Sequence, residues 1–190
     1  IVGDSLNPVT DALRRRKTIE WIHVRHEEVA AFSASAEAQL SGNLAVCCGS
    51  SGPGNLHLIN GLFDAHRNHA PVLAIASHIP QSQVGMEYFQ ATHPEQLFKE
   101  CSAYAELVAE ASQAPCILMS AIQHAWARRD VGVVVLPGDI ADAPAEMKNL
   151  VHPPSYTREN VVPEHESVSL LARMLDDHRR ITFFCGAGCA

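Results

Sequence analysis

Two short stretches of this chain carry residue types that could do chemistry together. The first is Val24-Arg25-His26-Glu27-Glu28-Val29, which offers adjacent carboxylates at the start of an apolar, helix-patterned segment. The second is Gly49-Ser50-Ser51-Gly52-Pro53-Gly54-Asn55, a glycine-rich handover from an apolar run to another helix-patterned segment. A carboxylate can hold or accept a proton at a ligand atom. Glycines allow the backbone to approach a ligand closely. Helix N-termini expose N–H groups and the positive end of the dipole. Each stretch alone has a plainer explanation. Acidic residues are common in first helical turns, and Gly-Pro-Gly is a tight turn. The second stretch is neither GxGxxG nor a P-loop, since it lacks the following Lys-Ser/Thr. Both stretches fall where a strand hands over to a helix, and open α/β sheets bind ligands at such places.

The elements that must position them follow from the pattern. Asn7 and Pro8 predict an N-cap and first helical residue, with a helix to about Arg15. Thr18 to Val24 is rich in β-branched and aromatic residues and predicts a strand, as do Ile1-Val2 and the apolar runs Leu44–Cys48, Pro71–Ser77, Tyr104–Val108 and Val131–Leu136. Helices are predicted over Glu27–Leu40, Asn55–His66, Pro94–Cys101 and Ser112–Arg129. His78 to Pro94 has no clear period and predicts a long functional loop. Alternating strands and helices of this kind predict an α/β fold with a doubly wound parallel sheet. Residues 1–143 read as one domain. Residues 144–163, with Pro144, Pro153, Pro154 and Pro163, read as a linker. Residues 164–190 read as the truncated beginning of a second α/β domain, with a helix near Glu164–Asp177 and a strand Ile181–Cys185. The opening Ile1-Val2-Gly3-Asp4, without a start methionine, suggests a piece of a longer protein.

Composition removes several classes. The 190 residues carry a formal net charge of -7, which argues against nucleic acid, whose phosphates need Lys and Arg. Arg14-Arg15-Arg16-Lys17 reads as a solvated helix end. No apolar run reaches the ~18 residues of a membrane span. The six cysteines form no CxxC pair and the eleven histidines no HExxH, so no metal site is expected. Cysteines in apolar runs suggest buried free thiols and a reducing, cytoplasmic setting.

Longer matches add a resemblance. Arg25-His26-Glu27-Glu28-Val29-Ala30-Ala31-Phe32, Gly52-Pro53-Gly54-Asn55-Leu56-His57-Leu58-Ile59-Asn60-Gly61-Leu62 and Asn68-His69-Ala70-Pro71-Val72-Leu73 resemble the thiamine-diphosphate enzymes. The Asn60–His69 block is most similar to the pyruvate oxidases and quinone-linked pyruvate dehydrogenases. The resemblance implies that residues 1–143 are the pyrimidine-binding domain. It implies that Glu27 is catalytic, hydrogen-bonding N1′ of the cofactor's aminopyrimidine, and that Gly52, Pro53, Gly54 and Asn55 line the cofactor pocket. Glu28 is assigned a structural role. Phe89 and Gln90 resemble the family's substrate-side loop, although Ala91 stands where many relatives have an acidic residue. His93, before Pro94, reads first as a turn histidine.

The implied reaction is oxidative decarboxylation of pyruvate to acetate and CO2, with electrons passed through FAD to a quinone. Thiamine diphosphate is the implied cofactor. Mg2+ and FAD are expected mainly in parts beyond this chain, because the family's GDG…N diphosphate motif is not found here. A homo-oligomer, dimer or tetramer, is implied, together with peripheral contact to the inner face of the cell membrane through a C-terminal part beyond this chain. The alone-standing chain is expected to be inactive. The alternatives are an acetolactate synthase-like carboligase and a non-catalytic nucleotide-binding or interaction module.

Overall fold

The computed structural model describes residues 1–144, 162–186 and 189. They fall in two compact units, divided between residues 156 and 157. Most of the predicted linker lies outside the described residues.

The first unit is built on four parallel strands: β1 (Ala45–Gly49), β2 (Val72–His78), β3 (Tyr104–Leu107) and β4 (Val131–Pro137). Their order is β1-β2-β4-β3. Around them run α1 (Asn7–Arg16), α2 (Glu27–Ser41), α3 (Pro53–Arg67), α4 (Pro94–Leu97), α5 (Ala114–Arg128) and α6 (Gly138–Asp142). Alternate residues of the central strands face opposite layers. Val72, Ala74, Ala76, Val131, Val133 and Val135 pack in one core with Ala31, Ala34 and Ala38 of α2 and Leu58, Leu62 and Ala65 of α3. Leu73 and Val134 pack in the other, with Ala121 of α5. Both faces are covered, as the all-apolar strand runs require. The sheet is therefore the α/β arrangement expected.

Helix boundaries have local causes. The α2 helix starts after extended His26, whose Nδ1 accepts a hydrogen bond from the Glu28 N–H at 3.3 Å. It ends at Gly42, in the left-handed region at φ 72°. Leu6, not Asn7, caps α1, because a 3-10 turn over Asp4–Leu6 delivers the chain directly into the helix. Gly138 opens α6 directly after β4.

Three predicted strands do not form. Ile1-Val2, Thr18–Val24 and Ile181–Cys185 carry no strand structure. A strand exists only through its ladder, and among the described residues none pairs with these segments. Ile19, Ile22, Phe183 and Phe184 are correspondingly exposed. The second unit is described by one helix, α7 (His165–Asp176), and irregular chain after it. No helix among the described residues is long and apolar enough to cross a membrane.

Helices α2 and α3 approach closely at Gly61 of α3, where a Cβ would collide with Ala31 Cβ and with the Phe32 backbone of α2. Helix–helix contact this tight leaves no room for a methyl group. Gly61→Ala should therefore destabilise the unit by about 1–3 kcal/mol, read as a lowered urea midpoint at unchanged slope.

Candidate functional site at the ends of the first two strands

The carboxyl ends of β1 and β2 meet the N-termini of α2 and α3. Glu27, the first residue of α2, is 4 % exposed. Its Oε2 lies 3.2 Å from Nδ1 of His57, on the second turn of α3. His57 stacks on His26, with ring centroids 4.3 Å apart. A buried carboxylate is tolerated when a hydrogen-bond donor and a favourable dipole accompany it; Glu27 sits at the N-terminus of α2, and His57 donates to it in the tautomer that carries a proton on Nδ1. Glu28 turns the other way and accepts a hydrogen bond from Asn60 Nδ2 at 2.7 Å. It fastens α2 to α3, as a structural role requires.

The glycine-rich turn is shaped around this carboxylate. Gly52 adopts φ 70°, ψ -116°, a conformation in which a side chain would be strained. A Cβ at Gly54 would stand 2.8 Å from Ser50 Oγ and 3.2 Å from Glu27 Oε1. The absence of a side chain there leaves the second carboxylate oxygen clear. Pro53 opens α3, where its missing N–H is not needed. Asn55 is fully buried and donates from Nδ2 to the Ser77 carbonyl at 2.7 Å, while its Oδ1 has no partner.

The N-terminal segment closes the floor. Ser5 Oγ accepts the Ser51 N–H at 3.0 Å, and Ser77 Oγ donates to the Ser5 carbonyl at 2.7 Å. A Cβ at Gly52 would meet the Gln90 carbonyl oxygen at 3.0 Å. The long loop after β2 is thus packed on the glycine turn, which brings Gln90 to the site's edge. Phe89 is 83 % exposed beside Tyr88 and touches none of the residues named above by any ring contact but that of Tyr88. Buried polar atoms without partners recur along the same stretch: His78 Nδ1, Gln83 Oε1 and Thr92 Oγ1.

The geometry brings together Glu27, Gly52, Pro53, Gly54 and Asn55, with Gln90 at the rim and Phe89 outside it. Sequence reasoning missed His57, which lies two residues beyond the glycine turn and thirty from Glu27. It also missed the Ser5–Ser77 clamp. Only the 3.6-residue period could have hinted at His57, since it places position 57 one turn from Pro53 and Gly54 on α3.

Residues 1–100 match the family model of the thiamine pyrophosphate enzyme, N-terminal TPP binding domain. This chain belongs to the thiamine pyrophosphate (thiamine diphosphate) enzymes. It is 56% identical over 191 residues to an uncharacterized 42.6 kDa protein of Pseudomonas amyloderamosa, covering 100% of this chain and 48% of that one. It is 35% identical over 189 residues to the putative thiamine pyrophosphate-containing protein YdaP of Bacillus subtilis, covering 99% and 33%. It is 40% identical over 141 residues to a pyruvate oxidase of Lactiplantibacillus plantarum, covering 74% and 23%. The chain thus spans less than half the length of these relatives.

His78, at the end of β2, gives the site a pH signature. Burial holds its imidazole below the usual histidine range; Glu95 opposes this and His93 adds to it. Above about pH 6.5 both folded and unfolded His78 are neutral and contribute no pH dependence. As pH falls below that value the unfolded chain binds the proton first, so stability is lost until the depressed folded pKa is passed. Urea midpoints measured from pH 7.5 downward should show this acid limb, and His78→Gln should flatten it.

Proposed function

We propose that this domain holds the aminopyrimidine of thiamine diphosphate for an enzyme that oxidatively decarboxylates pyruvate to acetate and CO2, with electrons passing through FAD to a quinone. The observation that carries the reading is the buried Glu27 carboxylate, one oxygen paired with His57 and the other left clear over Gly54. The residues fit the group: a carboxylate at the N-terminus of α2, a glycine at position 54 whose Cβ would crowd that carboxylate, and a buried Asn55 Oδ1 without a partner.

Thiamine diphosphate, when bound, supplies a thiazolium carbon that takes up the electron pair released as the carboxylate of a 2-oxo acid departs. Glu27 would hold a proton at ring nitrogen N1′. Gly52, Pro53 and Gly54 would let the pyrimidine lie against backbone, and Asn55 would fix the turn to β2. Gln90 and Phe89 would face the substrate side. No described residue is assigned to the diphosphate, to Mg2+ or to FAD, which the proposal places elsewhere on the protein.

Pyruvate is favoured as substrate because the Asn60–His69 block resembles the pyruvate oxidase branch and a named pyruvate oxidase is among the relatives. The same reading makes the protein a homo-oligomer whose pocket another subunit completes. Val29, Phe32 and Leu56, half exposed on α2 and α3, offer apolar surface for that contact. Free thiols at Cys47, Cys48 and Cys101 fit the reducing cytoplasm, with membrane contact only peripheral.

The test uses the whole protein with thiamine diphosphate, Mg2+, FAD and pyruvate, following reduction of an artificial acceptor and release of acetate. Glu27→Gln should lower turnover by at least about 100-fold with the fold unchanged by circular dichroism. Acetolactate formed without acceptor reduction would contradict the oxidative reading. Equal turnover in wild type and variant would contradict the role of Glu27.

A further inference from the structure

We propose that His26, Glu27 and His57 form a binding site for Zn2+ that competes with any ligand using the Glu27 carboxylate. Two imidazoles and a carboxylate are an established open zinc ligand set, with the fourth position left for water. A nitrogen of each ring and a Glu27 oxygen all lie within 4.8 Å of one another. Ligand atoms bound at about 2.0–2.2 Å stand about 3.3 Å apart on a tetrahedron. His57 Nδ1 and Glu27 Oε2 already have that spacing, at 3.2 Å. The other pairs lie within 4.8 Å and must close by rotation of the half-exposed rings.

His26 stacks face to face on His57, with 27° between the ring planes, so a ring must rotate before both can aim an in-plane nitrogen at one ion. The surroundings suit a metal that enters from solvent. The side chains of His26 and His57 are 45% and 44% exposed, while that of Glu27 is 5% exposed. The ring edges therefore form the entrance and the carboxylate the base. His26 must trade its long hydrogen bond from the Glu28 N–H, 3.3 Å, for the metal, or bind through its other nitrogen. Imidazole ligands select Zn2+ over Mg2+, which prefers oxygen donors and keeps its waters. The site therefore discriminates against the hard cation that the family's chemistry uses. Sequence spacing could not show it: adjacent residues 26 and 27 join residue 57 only when α2 and α3 pack together.

Zinc binding itself does not depend on the reaction proposed above; only the competition with thiamine diphosphate rests on that reading. The experiment titrates the metal-stripped protein with Zn2+ against a chromogenic chelator, and with Co2+ by visible absorption. A single tight equivalent is expected, with Co2+ bands free of thiolate charge transfer, since no cysteine takes part. His57→Ala and Glu27→Gln should each weaken Zn2+ binding by at least about tenfold, and His26→Asn, which keeps a capping side chain, should do the same. Far-UV circular dichroism confirms that the variants fold. Zn2+ affinity unchanged in these variants, or a Co2+ spectrum dominated by thiolate bands, would overturn the site. Thiamine diphosphate affinity is then measured with and without bound Zn2+. A loss of affinity supports the competition. Zinc held by these three residues with cofactor affinity unchanged would uphold the metal site, refute the competition, and count against Glu27 as the pyrimidine's partner.

Discussion

A carboxylate kept out of water is the constraint around which the first unit is arranged. Removing a charge from solvent costs several kcal/mol unless partners replace the lost hydration. Glu27 meets that cost at the positive end of α2, against His57 of α3. The His57 partner is in place only because α2 and α3 lie in close contact. That contact in turn requires the small residues Ala31 and Gly61 at the crossing and the Asn60–Glu28 hydrogen bond beside it. Packing, capping and site electrostatics are therefore one structure. A residue that spreads the two helices also strands the carboxylate.

The sheet supplies the fixed frame. Central strands covered on both faces leave their carboxyl ends as the place where backbone groups are free to meet a ligand. The ends of β1 and β2 are cross-tied there by Asn55 to Ser77 and by Ser5 to both Ser51 and Ser77. The loop after β2 contributes otherwise. It runs through positive φ at Gly85 and Glu87, lays Gln90 against Gly52 and leaves Phe89 in solvent.

Much of this was legible because the signals are local. The apolar-rich run from Val29 to Leu40, free of Gly and Pro, marks α2, although its buried face is Ala31, Ala34 and Ala38 while Val29, Phe32 and Leu40 are exposed; Gly42 marks its end, and the unbroken apolar runs mark β2 and β4. The Gly52–Asn55 turn was legible because it sits at a strand-to-helix handover; Glu27 was legible from its motif and its helix start, although the strand expected before it does not form. What failed depended on distant partners. Thr18–Val24 and Ile181–Cys185 have strand composition, yet a strand needs a neighbour, and composition does not name one. His57 is invisible as a carboxylate partner until α2 and α3 pack and bring together two residues thirty apart in sequence. The depressed basicity of His78 likewise follows from burial, which its sequence neighbours do not specify.

The most direct measurement is the nitrogen NMR resonance of N1′ in 15N-labelled thiamine diphosphate bound to the whole protein, in wild type and in Glu27→Gln. If Glu27 holds a proton at that nitrogen, binding to wild type moves the N1′ resonance strongly to lower frequency, and the variant binds the cofactor with most of that displacement lost. The same N1′ resonance in both proteins, with cofactor bound in each, would contradict the role assigned to Glu27.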